Sequence, residues 1–310
     1  MARMARIKVE GESAVYHLYG RIAGMKGEYS LTKPLCRKTL IDLIKHYAQA
    51  YCCDVAAYCV MGTHYHLVVQ FEGYRTLSPD ELRERALLLY PNSAKDLDEW
   101  PQIKWDRLQE RLFDVSEFMR NLHSAFGRYY NKACGRYGRV WADRFKSTLL
   151  EDTRALMDCM LYVELNPVRA GLVTRPEEWK GSSIGLREAG LDEWLMPLTA
   201  LFDKTKKRAL VEYRSLLYYR GGVPTKAGQA TIPQRVIKEE AARGFEVSGI
   251  YRKRMRYFVD GLVIGSEAFI REHIGVLRDK GEYLRRKHPI PHWESPHLSL
   301  REQRDTVVSF

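Results

Sequence analysis

His64 and His66 stand two residues apart in the run His64-Tyr65-His66-Leu-Val-Val, the strongest local signal for chemistry in the chain. Side chains alternate along a β-strand, so both imidazoles point to one face and Tyr65 to the other. Two imidazoles side by side can grip a divalent ion, or can be hydrogen-bonded without one. A second signal lies in Asp158-Cys-Met-Leu-Tyr162-Val-Glu-Leu-Asn166-Pro-Val-Arg-Ala-Gly171. A helix there stacks Tyr162 and Asn166 on one face and extends the stripe to Asp158. Leu156, Met160 and Val163 form a separate apolar stripe able to face a sheet. Tyr162 is therefore a candidate nucleophile, with an amphipathic surface tyrosine as the alternative. Pro167 limits the helix near Asn166.

The chemistry joins the two signals. A phenol titrates near about pH 10 and is a weak nucleophile at neutral pH. It attacks a phosphodiester when a metal polarises the scissile phosphate and neutralises the developing charge. The products are a 5′-phosphotyrosyl link and a free 3′-hydroxyl, which can later attack the link and rejoin DNA without an external energy source. The Asn166 carboxamide could complete the ion's shell. Oxygen and nitrogen ligands with open positions suit Mg²⁺ or Mn²⁺.

A third signal is the basic–aromatic run Arg136-Tyr-Gly-Arg-Val-Trp-Ala-Asp-Arg-Phe-Lys146. Interleaved rings and cations suit a nucleic-acid strand, since bases stack on aromatics and phosphates pair with cations. The same pattern also fits a strand with one buried aromatic face and one solvated basic face, with Trp141, Asp143 and Phe145 together on one side. Arg144 and Lys146 are the candidates for backbone contacts, with Arg139 and Arg169 beside them.

Elements that could hold these groups follow from periodicity. Residues 14–20 read as a strand rich in aromatic and β-branched residues. Pro34 opens a helix to about Cys52. Residues 54–61 and 64–71 read as a hairpin turning at Gly62-Thr63. Residues 72–111 read as an insertion, with a capping box at Ser78-Pro-Asp-Glu81. A helix over about 114–134, a strand over 139–151 and a helix from Asp152 or Thr153 toward Asn166 complete the set. This order predicts an α+β, ferredoxin-like, four-stranded antiparallel sheet with helices on one face. After about residue 190 the texture becomes mainly helical and charge-clustered. The expected organisation is thus a catalytic domain over 1–190 and a C-terminal domain over 191–310.

Composition narrows the partners. Fifty Lys and Arg face 39 Asp and Glu in 310 residues, a net charge of +11. That balance suits a polyanion. No apolar run approaches the roughly 18 residues of a membrane span. The basic N-terminus lacks the apolar run of a signal peptide, so the sequence reads as cytoplasmic, with no membrane partner. Six scattered cysteines without a CxxC pair read as buried thiols of a reducing compartment.

Four stretches, in order, resemble the single-tyrosine HUH transposases of the insertion-sequence-200 type, and among them the REP-associated tyrosine transposases. They are Ala14-Val-Tyr-His-Leu, Ala57-Tyr-Cys-Val-Met-Gly-Thr-His-Tyr-His-Leu-Val, Gly138-Arg-Val-Trp-Ala-Asp-Arg-Phe-Lys-Ser, and Tyr162-Val-Glu-Leu-Asn-Pro-Val-Arg-Ala-Gly-Leu with Trp179-Lys-Gly-Ser-Ser after it. The resemblance implies His64 and His66 as metal ligands, Asn166 as the third ligand and Tyr162 as the nucleophile. It implies single-stranded DNA as substrate, often a palindromic repeat folded into a hairpin, and a monomer or homodimer. A domesticated protein that binds such hairpins without cutting is the alternative it leaves. Ala142-Asp143 replaces the family's usual Gln-Gly, and Tyr65 fills the hydrophobic slot between the histidines. In the extension beyond residue 190, Ser266 is a candidate helix cap. Arg252, Lys253, Arg254 and Arg256 there are candidates to grip DNA, with a solvated basic helix as the other reading.

Overall fold

The computed structural model describes residues 7–24, 31–93, 95–151, 153–225, 228–245, 262–279, 290–291 and 298–299. Its first unit is the strand β1 (Ala14–Arg21), the helix α1 (Pro34–Ala50) and the strands β2 (Cys53–Val60) and β3 (His64–Phe71). Helices α2 (Pro79–Leu89), α3 (Gln102–Leu112) and α4 (Val115–Ala133) precede strand β4 (Lys146–Leu150). Helices α5 (Thr153–Glu164), α6 (Asn166–Arg169), α7 (Ser183–Glu188), α8 (Lys206–Gly221) and α9 (Gln234–Ala241) follow. The chain closes with β5 (Val263–Gly265), α10 (Glu267–Asp279), β6 (Ile290–Pro291) and β7 (Leu298–Ser299).

Strands β2-β3-β1-β4 are mutually antiparallel, the order a ferredoxin-like sheet requires. Two expectations need correction. The sheet does not stop at four strands: β5 pairs with β4 in parallel, and β7 and β6 follow in the order β2-β3-β1-β4-β5-β7-β6. Leu149 and Leu150 explain the extension, since an apolar edge strand left open exposes unpaired backbone and oily surface. Helices also cover both faces rather than one. On one face Phe118, Leu122 and Phe126 of α4 pack with Leu40 and Ile44 of α1 against Leu18, Tyr65 and Leu67. On the other, Leu156, Met160 and Val163 of α5 share a core with Ala57, Val68 and Leu150 of the sheet and with Leu217 and Tyr213 of α8. Full burial of each such side chain is worth roughly 1.5–3 kcal/mol.

The 72–111 segment forms helices α2 and α3 over a small separate apolar cluster built from Cys52, Leu77, Leu82, Ala86, Leu97, Leu108 and Leu112. Its capping box is present: Ser78 Oγ accepts from Glu81 N at 3.2 Å, and Glu81 Oε2 accepts from Ser78 N at 3.1 Å. Ser266 caps α10 by accepting from Phe269 N. Among the described residues no break in packing falls at residue 190. Met196, Leu198, Ala209 and Leu216 lie in the same apolar cluster as α5, and β5 extends the same sheet.

Expectation and structure also differ over 139–151, where only Lys146–Leu150 is strand. Trp141 keeps only an isolated antiparallel bridge to Ile22, while its ring stacks on His123 at 3.9 Å and its Nε1 donates to the His123 carbonyl. Tyr65 reaches the same place, its hydroxyl 2.7 Å from His123 Nε2. That crowding explains Gly20, which lies opposite Tyr65 in the register. A Cβ there would meet the Tyr65 ring at 2.5 Å and His123 Nε2 at 3.0 Å. Gly20→Ala is expected to cost about 1–3 kcal/mol of stability by overpacking. Urea unfolding checks this, and a midpoint unchanged from wild type would contradict it.

Candidate nucleophile and metal-ligand site

The register places the site. Tyr19 lies opposite His66 on one side and Lys146 on the other, and Arg21 lies opposite His64. Directly opposed residues of an antiparallel pair share a face. His64, His66, His17, Tyr19, Thr148 and Lys146 therefore occupy one face, the one that α5 covers. Tyr65 points away into the core around α4, as strand alternation predicts.

Five aromatic groups close on one another there. The rings of His64 and His66 meet edge to face at 5.2 Å. The Tyr162 ring stands nearly perpendicular to both His66 and His17, at 5.7 and 6.1 Å. Tyr19 lies 5.1 Å from His66 and 5.4 Å from His64. His17 Nε2 and His66 Nδ1 are 3.0 Å apart and hydrogen-bonded. Thr63 Oγ1 lies 3.3 Å from His64 Nδ1.

Electrostatics favour neutral imidazoles. Burial, with the Arg21 charge beside it, pushes His64 down to about 4. Burial, then His17 and His64, holds His66 well below the ordinary imidazole range. Neutral imidazole is the form that binds metal, so this pair fits a divalent ion without competition from protons at neutral pH. Among the described residues no three His, Cys, Asp or Glu side chains form a closed cage. Two imidazoles alone leave coordination positions open, as a catalytic rather than structural ion needs.

Tyr162 is no surface tyrosine. Helix α5 is buried on nearly every side because it is pressed between the sheet and α8, and the half-buried Tyr162 packs into that core. Asn166 sits at the helix exit. Pro167 has no N–H to offer the Val163 carbonyl. The Asn166 amide supplies the missing donor, with Nδ2 at 3.2 Å from Val163 O and 2.9 Å from Tyr162 O. The nitrogen end of that side chain is thus committed to backbone, leaving its oxygen as the only atom able to act as a ligand.

The basic candidates divide. Arg169 lies with its guanidinium 5.7 Å over the Tyr162 ring, and burial pulls its pKa down to about 10, so it stays charged at neutral pH. Its Nη1 has no hydrogen-bond partner among the described residues. Lys146 projects on the site face with Nζ 5.8 Å above the Tyr19 ring. Arg139 and Arg144 are exposed on the loop between α4 and β4. That loop's aromatics also divide, Trp141 and Phe145 being core while Tyr137 is 95% exposed. Arg252, Lys253, Arg254 and Arg256 lie outside the described residues. Sequence reasoning passed over His17 and Tyr19. The signal was present, since they stand two apart in the first strand, but only the β1–β3 register shows which histidines they meet.

No helix among the described residues is long and apolar enough to cross a membrane. No family model matches the chain, and no curated protein matches it. Among solved structures, a REP-associated tyrosine transposase bound to a REP hairpin is similar over 62% of this chain and 88% of that chain, with a TM-score of 0.41 and 16% identity.

Proposed function

We propose that this protein is a metal-dependent single-strand DNA endonuclease and strand transferase of the transposase type. One observation carries the reading: Tyr162 stands 5.7 Å from His66, on the sheet face that also bears His64. In this reading His64, His66 and the Asn166 oxygen hold Mg²⁺ or Mn²⁺. When bound, the ion supplies Lewis-acid polarisation of a scissile phosphate.

The chain's own groups do the rest. The Tyr162 oxygen forms a bond to phosphorus, and the bond from phosphorus to the 3′ oxygen breaks. The phenol loses a proton and the departing 3′ oxygen gains one, so no net proton is consumed. The DNA is left as a 5′-phosphotyrosyl adduct, and a 3′-hydroxyl can reverse the step on the same or another strand. Arg169 holds positive charge beside the phenol, which favours the phenolate and the incoming phosphate alike. Lys146 extends that charge along the face, and Arg139, Arg144 and the exposed Tyr137 offer a path for a single strand beyond it. The substrate class is single-stranded DNA carrying a palindromic hairpin of the REP type, as the sequence motifs imply.

The test is incubation with hairpin-bearing single strands. With Mn²⁺ a denaturant-resistant protein–DNA adduct is expected, and EDTA should abolish it. The double variant His64→Ala/His66→Ala should lose the adduct and retain hairpin binding within a few fold. Tight hairpin binding without adduct under every metal condition would show a protein that recognises and does not cut, and the proposal would fall.

A further inference from the structure

His17 is buried at 1% exposure, and the chemistry above leaves it unused. Its bond to His66 has an unusual geometry. The ring planes differ by only 9° and the centroids are 5.2 Å apart. That separation is close to the longest a 3.0 Å contact between ring nitrogens permits. The two imidazoles therefore lie end to end in nearly one plane, and the hydrogen bond runs in line with both rings.

A bond between two neutral imidazoles has two possible senses, because one nitrogen must carry the proton and the other must not. If His17 Nε2–H donates, His66 Nδ1 accepts and the His66 proton sits on Nε2. Both nitrogens of His66 are then occupied, and it has no lone pair for an ion. If His66 Nδ1–H donates, His17 Nε2 accepts and the His66 Nε2 lone pair is free. Thr63 can play the matching part for His64, its hydroxyl oxygen accepting from Nδ1–H. A metal-bound histidine commonly donates its second N–H to a fixed acceptor, which sets tautomer and ring orientation.

We infer that His17 is a positioning residue: by accepting from His66 Nδ1–H it locks His66 as the Nδ1–H tautomer and turns its Nε2 lone pair to a divalent ion. The inference rests on the metal reading of the histidine pair. Its location makes it effective, since β1 is hydrogen-bonded on both sides, with Val68 opposite His17 on β3 and Thr148 opposite it on β4. The acceptor thus sits on an interior strand of the sheet.

The tautomer is read directly from two-bond ¹H–¹⁵N correlation spectra of the metal-free, ¹⁵N-histidine-labelled protein. Wild type is expected to show His66 protonated at Nδ1. His17→Leu should shift that proton toward Nε2 and weaken Co²⁺ binding about 10–100-fold, followed by the ion's d–d absorption. His17→Gln, whose side-chain oxygen can accept the same bond, should restore most of the affinity, which a packing role alone would not do. His66 protonated at Nε2 in wild type overturns the inference, as does Co²⁺ affinity unchanged in a folded His17→Leu. Should His17→Leu fail to fold, the wild-type spectrum and the glutamine variant decide alone. Wild type with Nδ1–H on His66 but no Co²⁺ binding would uphold the tautomer and overturn the metal reading instead.

Discussion

Tyr162→Phe should form no covalent adduct with single-stranded hairpin DNA, a loss on the order of 10⁴-fold or more in cleavage, while leaving fold and DNA binding close to wild type. The substitution removes one oxygen and keeps the ring. The perpendicular ring contacts to His66 and His17 therefore survive, as does the packing of α5 into the core between sheet and α8. Removing the nucleophile removes bond formation itself, which is why losses of this kind exceed those from any binding contact. Metal binding should also persist, since neither imidazole is touched. The readouts are adduct on a denaturing gel, hairpin affinity and thermal midpoint. An adduct that survives in Tyr162→Phe would assign the nucleophile elsewhere, and Tyr19, 5.1 Å from His66, would become the next residue to test.

The candidates His64, His66 and Tyr162 stand out in the sequence because each carries its signal locally: two positions on one strand, and a tyrosine in a helix with a proline-marked exit. The order of elements was enough for the antiparallel core of the sheet as well. What remained illegible depends on partners far along the chain. His17 acquires a role only when β1 pairs with β3. The reading of α5 as a helix with one apolar stripe missed α8, which arrives some fifty residues later and buries the other side; Glu164, charged in the sequence, ends fully enclosed and hydrogen-bonded by Ser183 and Tyr213. For Trp141 and Phe145 the sequence leaves a stacking platform and a buried face both open, because alternation cannot show that His123 waits on a neighbouring helix. Asn166 shows a subtler limit. Its spacing from Tyr162 suits a ligand, and its place before Pro167 suits a backbone donor. The structure shows the second use, and the first is left to the carboxamide oxygen.

The stripe that carries Tyr162 also carries a buried ion pair. Asp158, one turn before the tyrosine, accepts from Arg220 of α8, and both side chains are buried. Two charges taken out of water gain little net stability while paired, but removing one strands the other. Asp158→Ala is therefore expected to cost about 3–5 kcal/mol in urea unfolding. Replacing both partners by apolar residues, Asp158→Leu with Arg220→Met, should recover most of that loss, because no uncompensated charge remains. A single variant within about 1 kcal/mol of wild type would mean that water reaches Arg220 and that the pair is not enclosed. The consequence for function follows from geometry. Arg220 joins Tyr213 and Leu217 of α8 in tying that helix to α5, and Arg169 of α6 feels its charge. Asp158→Ala should thus loosen the support behind Tyr162 and lower adduct formation even under conditions where the protein stays folded. The double variant separates the two effects: if it regains stability yet still forms adduct slowly, the pair sets the position of the tyrosine helix and not merely its packing.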